Sequence, residues 1–284
     1  GLLQPAADRI KLIFKEEVMP AGADKVLFFL APILTMIPAI VIVAVIPVGP
    51  DVELFGRTIR LGISDLNVGL LYILAIASVA VYGIVLAGWS SANKYALLGG
   101  LRASAQMISY EIALGLSIIG PIMLAGTLSL QGIVQAQQSS TWYVIWQPLG
   151  AMIFLIAGLA ELNRAPFDMP EAEQELTAGY FTEYSGMKFS LFFMGEYIKM
   201  VAVSAIATTL FFGGYLGPFV DKLPWLGILY FAIKTGAFLF LMIWIRLTLP
   251  RLRYDQLMAF GWKVLLPLAL FNVVITAVVI VFVG

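Results

Sequence analysis

Seven stretches of the chain, 27–47, 67–89, 105–127, 142–162, 189–213, 224–247 and 263–283, are continuously apolar. A helix crossing a hydrocarbon core of about 30 Å needs roughly 20 such residues, whereas a barrel strand alternates over about ten. The pattern predicts an all-α integral membrane protein with seven transmembrane helices. Pro32, Pro38, Pro121, Pro148 and Pro267 fall inside the stretches; membrane helices tolerate proline when neighbours satisfy the freed backbone. Ahead of the first stretch the pattern changes. Leu2, Leu3, Ile10, Leu12, Ile13 and Phe14 are interleaved with Asp8, Arg9, Lys11, Lys15, Glu16 and Glu17. That interleaving predicts an amphipathic helix on the membrane surface within 1–26; an ordinary charged flank is the alternative. The chain, 1–284, thus reads as a single membrane domain, a surface segment followed by a seven-span bundle over 27–283.

The polar connections orient the bundle. Twelve of the 17 Lys and Arg residues fall on one side, and Arg57, Arg60 and Lys222 on the other. The basic side is expected to face the cytoplasm or its organellar equivalent. The longest connection on that side, 162–188, carries Arg164, Asp168, Glu171, Glu173, Glu175, Glu183 and Lys188. A connection so long and acidic is more than a linker. Pro170 followed by Glu171, Ala172, Glu173, Gln174, Glu175 and Leu176 predicts a short helix starting near Pro170, capped by Asp168 or a neighbour.

Composition narrows the chemistry. Of 284 residues, 61% are hydrophobic and 12% charged, with 17 basic balanced by 17 acidic. No net basic field exists to attract nucleic acid. Cysteine and histidine are absent, so this chain has no thiolate nucleophile and no Cys or His ligands for zinc or an iron–sulfur cluster. Metal binding is not expected, and the reactive groups left are Glu, Asp, Lys, Arg and Tyr.

Several of these sit within the apolar stretches. Glu111 lies six residues into its stretch and Glu196 seven into its own, roughly 10 Å below the boundary at 1.5 Å per residue. Glu161 ends a third, Lys199 follows Glu196 by three, and Lys234 is mid-stretch. Ionisable residues inside a membrane are functional candidates by default. A structural ion pair between Glu196 and Lys199, or snorkelling to the interface, is the plainer alternative. Clustered carboxyl groups below an acidic loop are candidates for proton transfer.

The run Ala160-Glu161-Leu162-Asn163-Arg164-Ala165-Pro166-Phe167-Asp168-Met169-Pro170-Glu171-Ala172-Glu173-Gln174-Glu175-Leu176, continuing through Gly179 and Thr182 to Phe189, resembles a family signature. The family is the quinone-site membrane subunit of respiratory complex I, the proton-pumping NADH:quinone oxidoreductase. Gly1-Leu2-Leu3-Gln4-Pro5, Lys94 to Arg102, Ile108-Ser109-Tyr110-Glu111 and Arg251 to Leu257 extend the resemblance over the whole chain in order. Family members usually carry a further first span before the Gly-Leu-Leu-Gln run. This chain begins at that run, so a missing first span is expected, and with it part of the quinone entrance. Ala6 and Arg9 stand where small or apolar residues are common.

The resemblance implies a subunit of a multisubunit translocase in the respiratory electron-transport chain. Quinone is its substrate and it carries no redox centre of its own. FMN and iron–sulfur clusters would belong to partner subunits, and the implied partners include peripheral-arm quinone-site subunits, small membrane-arm subunits and membrane lipid. Asp8, Lys11, Arg164 and Asp168 would line or support the quinone chamber. Glu111, Glu161, Glu171, Glu173, Glu175 and Glu196 would form the proton path or coupling route. The implied location is the bacterial plasma membrane, or an organellar energy-converting membrane. A homologous subunit of an energy-converting hydrogenase, an independent ion transporter and a passive anchor are the competing readings.

Overall fold

The structure, a computed structural model, describes residues 3–50, 52–54, 57–59, 61–168, 179–220 and 223–283. In chain order its helices are α1 (Gln4–Phe14), α2 (Lys25–Val43), α3 (Gly69–Ser90), α4 (Lys94–Ala125), α5 (Leu130–Ser139), α6 (Tyr143–Trp146) and α7 (Pro148–Glu161). After a 3₁₀ turn at Gly179–Phe181 come α8 (Gly186–Phe211), α9 (Trp225–Thr248), α10 (Tyr254–Phe260) and α11 (Leu266–Val283). Strands β1 (Val52–Leu54) and β2 (Arg57–Ile59) form a small antiparallel hairpin in the α2–α3 connection, pairing Val52 with Ile59. The purely helical expectation did not include this hairpin.

Among the described residues, six helices are long and apolar enough to cross a membrane: α2, α3, α4, α8, α9 and the continuous Tyr254–Phe282 rod. The stretch 142–162, expected as one span, is instead broken. Its apolar helix, α7, has 14 residues and is preceded by the single turn α6. Proline drives its predecessor out of the α region, and Gln147 indeed has φ −128° and ψ 50° before Pro148. The last rod contains a π turn over Gly261–Leu265, where the Leu266 N–H bonds the Gly261 carbonyl five residues back. Such single-turn bulges accommodate an extra residue inside a helix.

Caps and small residues place the remaining helices. Asp24 caps α2, accepting from the N–H groups of Val26 (3.1 Å) and Leu27 (3.4 Å). Within α2, the Thr35 hydroxyl donates to the Pro32 carbonyl at 2.8 Å. Asn93 caps α4 by accepting from the Tyr95 N–H at 3.0 Å. α2 packs on α3 and α8, and α4 on α3, α7 and α11. The α2–α3 approach needs glycine: a Cβ on Gly83 would lie 2.5 Å from Thr35 Cγ2 and 2.9 Å from the Ala31 carbonyl. Small residues let membrane helices approach this closely. The core falls into two clusters. The larger joins α3, α4, α7 and α8, while the smaller gathers Phe28, Met107, Tyr180, Phe181, Tyr184 and Phe192.

Candidate functional site

α7 ends at Glu161, and the chain turns at Asn163, whose φ is +51°. Asparagine tolerates this left-handed conformation better than most residues. The turn delivers Arg164 into the protein, 5% exposed. Its Nε pairs with Glu196 Oε1 from α8, and its guanidinium carbon stands 4.6 Å from the centre of the Tyr197 ring. Glu196 therefore takes its direct ion pair from the loop, not from Lys199 on its own helix as the spacing had suggested. Lys199 is buried and couples electrostatically to Glu161, Glu196 and Glu111. Glu111 accepts a hydrogen bond from the Ser78 hydroxyl of α3.

Two cavities of about 30 Å³ each connect these groups. Glu161, Glu196, Lys199 and Asn163 line the first, and Glu111, Glu161 and Lys199 the second. Each has room for water and polar partners to hold it. Glu161, Leu162 and Lys199 are common to both walls, so three carboxyl groups from three helices follow one another around a single ammonium group. α4 begins at Lys94 and runs 32 residues, so Glu111 falls halfway along it.

Both arms of the acidic connection are held by side chains. On the arm after α7, Gln106 Nε2 donates to the carbonyls of Ala160 and Phe167, each at 2.8 Å. The Leu252 N–H donates to the Pro166 carbonyl at 3.1 Å. Tyr110 packs on Phe167 and donates its hydroxyl hydrogen to the Leu257 carbonyl at 2.9 Å. On the arm before α8 the seat is aromatic. Tyr184 stacks on Phe28 at 4.1 Å, and burial pushes its phenol up to about 12, partly offset by the Ser90 hydroxyl. A Cβ on Gly99 would lie 2.7 Å from the Gly179 Cα, so only glycine permits this crossing. The Asn93 amide donates to Glu183 at 2.7 Å. Lys188 pairs with Glu17 at 2.8 Å and lies 3.6 Å from the centre of the Phe29 ring, and the Val18 N–H donates to Ser185 Oγ at 3.0 Å. The second arm thereby anchors the surface segment that follows α1.

Of the residues singled out from the sequence, Glu111, Glu161, Glu196 and Arg164 come together. Asp8 and Lys11 are exposed on α1, with the Gln4 amide donating to Asp8 at 3.3 Å. Asp168 is partly buried at the end of the arm after α7. Glu171, Glu173 and Glu175, with the helix expected near Pro170, lie outside the described residues. Lys234, a candidate because of its place in an apolar stretch, caps the end of α8. Its ammonium group donates to the carbonyls of Phe212 (2.7 Å), Gly214 (3.1 Å) and Leu216 (2.6 Å). A cation at a helix C-terminus satisfies otherwise orphaned carbonyls and favours the helix dipole. Ser78 and Gln106 were missed. Their only sequence signal is a polar residue inside an apolar stretch, which for Ser is weak.

The fold and the site define a polytopic helical membrane protein built around a buried carboxylate–cation cluster. Residues 1–277 match the NADH dehydrogenase family, and the chain belongs to it. It is 56% identical, over all of its length and 84% of the relative's, to an H subunit of NADH-quinone oxidoreductase from Geobacter sulfurreducens. It is 55% identical to the NADH-quinone oxidoreductase H subunit of Protochlamydia amoebophila, over 98% of this chain and 83% of the relative. The corresponding H subunit of Rickettsia felis is 53% identical over 99% of this chain and 81% of its own length.

Proposed function

We propose that this chain is the membrane subunit of a proton-pumping NADH:quinone oxidoreductase that helps form the quinone chamber and couples quinone reduction to proton translocation. The observation that carries the reading is the succession Glu196, Glu161 and Glu111 around Lys199, bridged by two cavities that can hold water. Reducing a quinone to a quinol takes two electrons and two protons. The electrons come from partner subunits bearing FMN and iron–sulfur clusters, since this chain has no cysteine or histidine to ligate a cluster. The chain's own part is protonic and electrostatic. Arg164 sits where the loop meets Glu196, so a change of charge in a chamber bordered by Asp8, Lys11, Arg164 and Asp168 is felt by Glu196. Glu161 and Glu111 then respond in turn, because coupled groups titrate as a set. Glu171, Glu173 and Glu175 would extend this set along the loop toward the chamber. The working location is an energy-converting membrane, the plasma membrane in a bacterium.

The test is Glu161→Gln in the assembled complex. Inhibitor-sensitive NADH:quinone reduction and proton uptake into membrane vesicles should both fall roughly tenfold or more, as for loss of a proton-transfer group, with assembly normal on native gels. Wild-type rates and proton yield in a fully assembled variant would overturn the reading.

A further inference from the structure

Glu111 makes one hydrogen bond among the described residues, and its partner is Ser78. Ser78 stands on α3 and Glu111 on α4, each near the middle of its helix. The Ser78 hydroxyl meets two acceptors at once: Glu111 Oε1 and, one turn back on its own helix, the Leu74 carbonyl at 3.0 Å. It has a single hydrogen to give. Ser117, Thr208 and Thr209 are placed differently. Each donates to a carbonyl one turn back and has no carboxylate partner, which is the ordinary habit of serine and threonine inside a helix. Leu74 and Glu111 also share the wall of the second cavity, which Glu161 and Lys199 border. Glu161 and Lys199 are the charged groups that act on Glu111 there.

We propose that Ser78 is a positioning residue of the proton path, keeping Glu111 hydrogen-bonded in both its ionised and its protonated form. The inference rests on the coupling role proposed for Glu111 and deepens it. Ionised Glu111 accepts the Ser78 hydrogen at Oε1. When a proton arrives on that oxygen, the new O–H donates to Ser78 Oγ, and the Ser78 hydrogen turns to the Leu74 carbonyl. A proton on the other carboxyl oxygen leaves the first bond in place. Release of the proton restores the starting arrangement. Only hydrogens move, so the carboxyl stays beside the cavity through the cycle. A hydroxyl can do this because it is donor and acceptor together. Without it, each change of charge would leave a polar group unpaired in an apolar span, and the carboxyl would lose the fixed position on which fast transfer depends.

The test uses the purified, assembled complex with Ser78→Ala, Ser78→Thr and Glu111→Gln. Quinone-coupled turnover is measured in light and in heavy water. Infrared difference spectra between the oxidised and reduced complex identify the Glu111 carboxyl band by its loss in Glu111→Gln. Ser78→Ala should assemble normally and turn over roughly tenfold more slowly, as for loss of one hydrogen bond to a charged group. Its solvent isotope effect should rise, because proton transfer has become the slow step, and the Glu111 band should shift. Ser78→Thr keeps a hydroxyl and should return turnover, isotope effect and band to their wild-type values. Wild-type turnover in Ser78→Ala, a slow Ser78→Ala with an unchanged isotope effect, or a Glu111 band that does not move would overturn the assignment of Ser78 while leaving Glu111 on the path. Wild-type turnover in Glu111→Gln would overturn the coupling role of Glu111, and this inference with it.

Discussion

On the Arg- and Lys-rich side of the bundle, Glu111, Glu161, Glu196 and Lys199 border cavities; toward the opposite side, Gln147, Asn272 and Thr276 close on one another without a charge. There Asn272 Nδ2 donates to Gln147 Oε1 (2.8 Å), Gln147 Nε2 to the Thr276 hydroxyl (2.6 Å), and that hydroxyl to the Asn272 carbonyl (2.7 Å). Gln137 similarly donates to the Thr209 carbonyl at 3.0 Å and accepts from the Tyr143 N–H at 3.2 Å. Both regions bury polar groups in an apolar bundle. The neutral network repairs a defect, the break that Pro148 imposes on α7, and its members occupy their partners fully. The charged cluster keeps room beside it and can change its protonation without breaking a helix. On the proposed function, charge and free volume together are what set the carboxylate cluster apart from the neutral network.

The comparison breaks most sharply at Arg164. Arg164→Met leaves Glu196 buried without its ion pair, at a cost of about 3–5 kcal/mol, read as a lowered melting temperature and loss of assembled complex. Combining it with Glu196→Leu removes the buried charge and should restore most of that stability. Quinone-coupled turnover should stay low in the double variant. If turnover returns together with stability, Glu196 is structural and the distinction between the two regions fails.

Asn272→Leu tests the neutral side. It takes the donor from Gln147 Oε1 inside the bundle, which costs about 1–3 kcal/mol. Thermal unfolding of the purified complex should report that loss, while turnover per assembled complex stays at the wild-type value. A fall in turnover at unchanged assembly would place the amide network on the working path.

Lys188→Met is milder. Lys188 is 7% exposed but its partner Glu17 is 41% exposed, and a pair open to solvent contributes at most about 1 kcal/mol. The expected effect is local: the segment between α1 and α2 becomes more sensitive to added protease, while the melting temperature hardly moves. Unchanged cleavage would show that the Val18–Ser185 hydrogen bond and the packing of α1 on α8 suffice to hold it.

How much of this was legible from the chain depended on scale. Continuous apolar runs mark membrane helices because burying roughly 20 residues of backbone in lipid leaves few other structures, and α2, α3, α8 and α9 fall where those runs lie. The break at Gln147 was hidden because one amide and one proline barely alter the mean polarity of a 21-residue run. The mid-helix place of Glu111 was hidden because α4 continues toward Lys94 through Ala103, Gly100 and Gly99, residues that extend a helix without lengthening its apolar stretch. Glu111, Glu161 and Glu196 stood out because charge in a span is costly. Their order around Lys199, and the pairing of Glu196 with Arg164 across 32 residues of chain, are tertiary facts that spacing along one helix cannot supply.

Tyr184 carries the smallest expected effect and separates packing from polarity at the arm before α8. Its ring lies parallel to Phe28 within 3°, while its hydroxyl is 3.4 Å from both Ser90 Oγ and the Phe28 carbonyl. Hydrogen bonds that long contribute little, so Tyr184→Phe should change stability by less than about 1 kcal/mol. The phenol also sets an alkaline limit. Its pKa is raised by burial from 10.0 to about 12, so the folded state holds its proton where the unfolded chain has lost it. Its contribution is fully present below pH 10.0 and is lost as the pH rises through about 12. Tyr184 is one of several buried tyrosines, so the phenolate absorbance of Tyr184→Phe should differ from the wild type by the loss of one late-titrating group across that window. If the difference is instead a tyrosine titrating near pH 10.0, the arm before α8 is looser than its stacked ring implies.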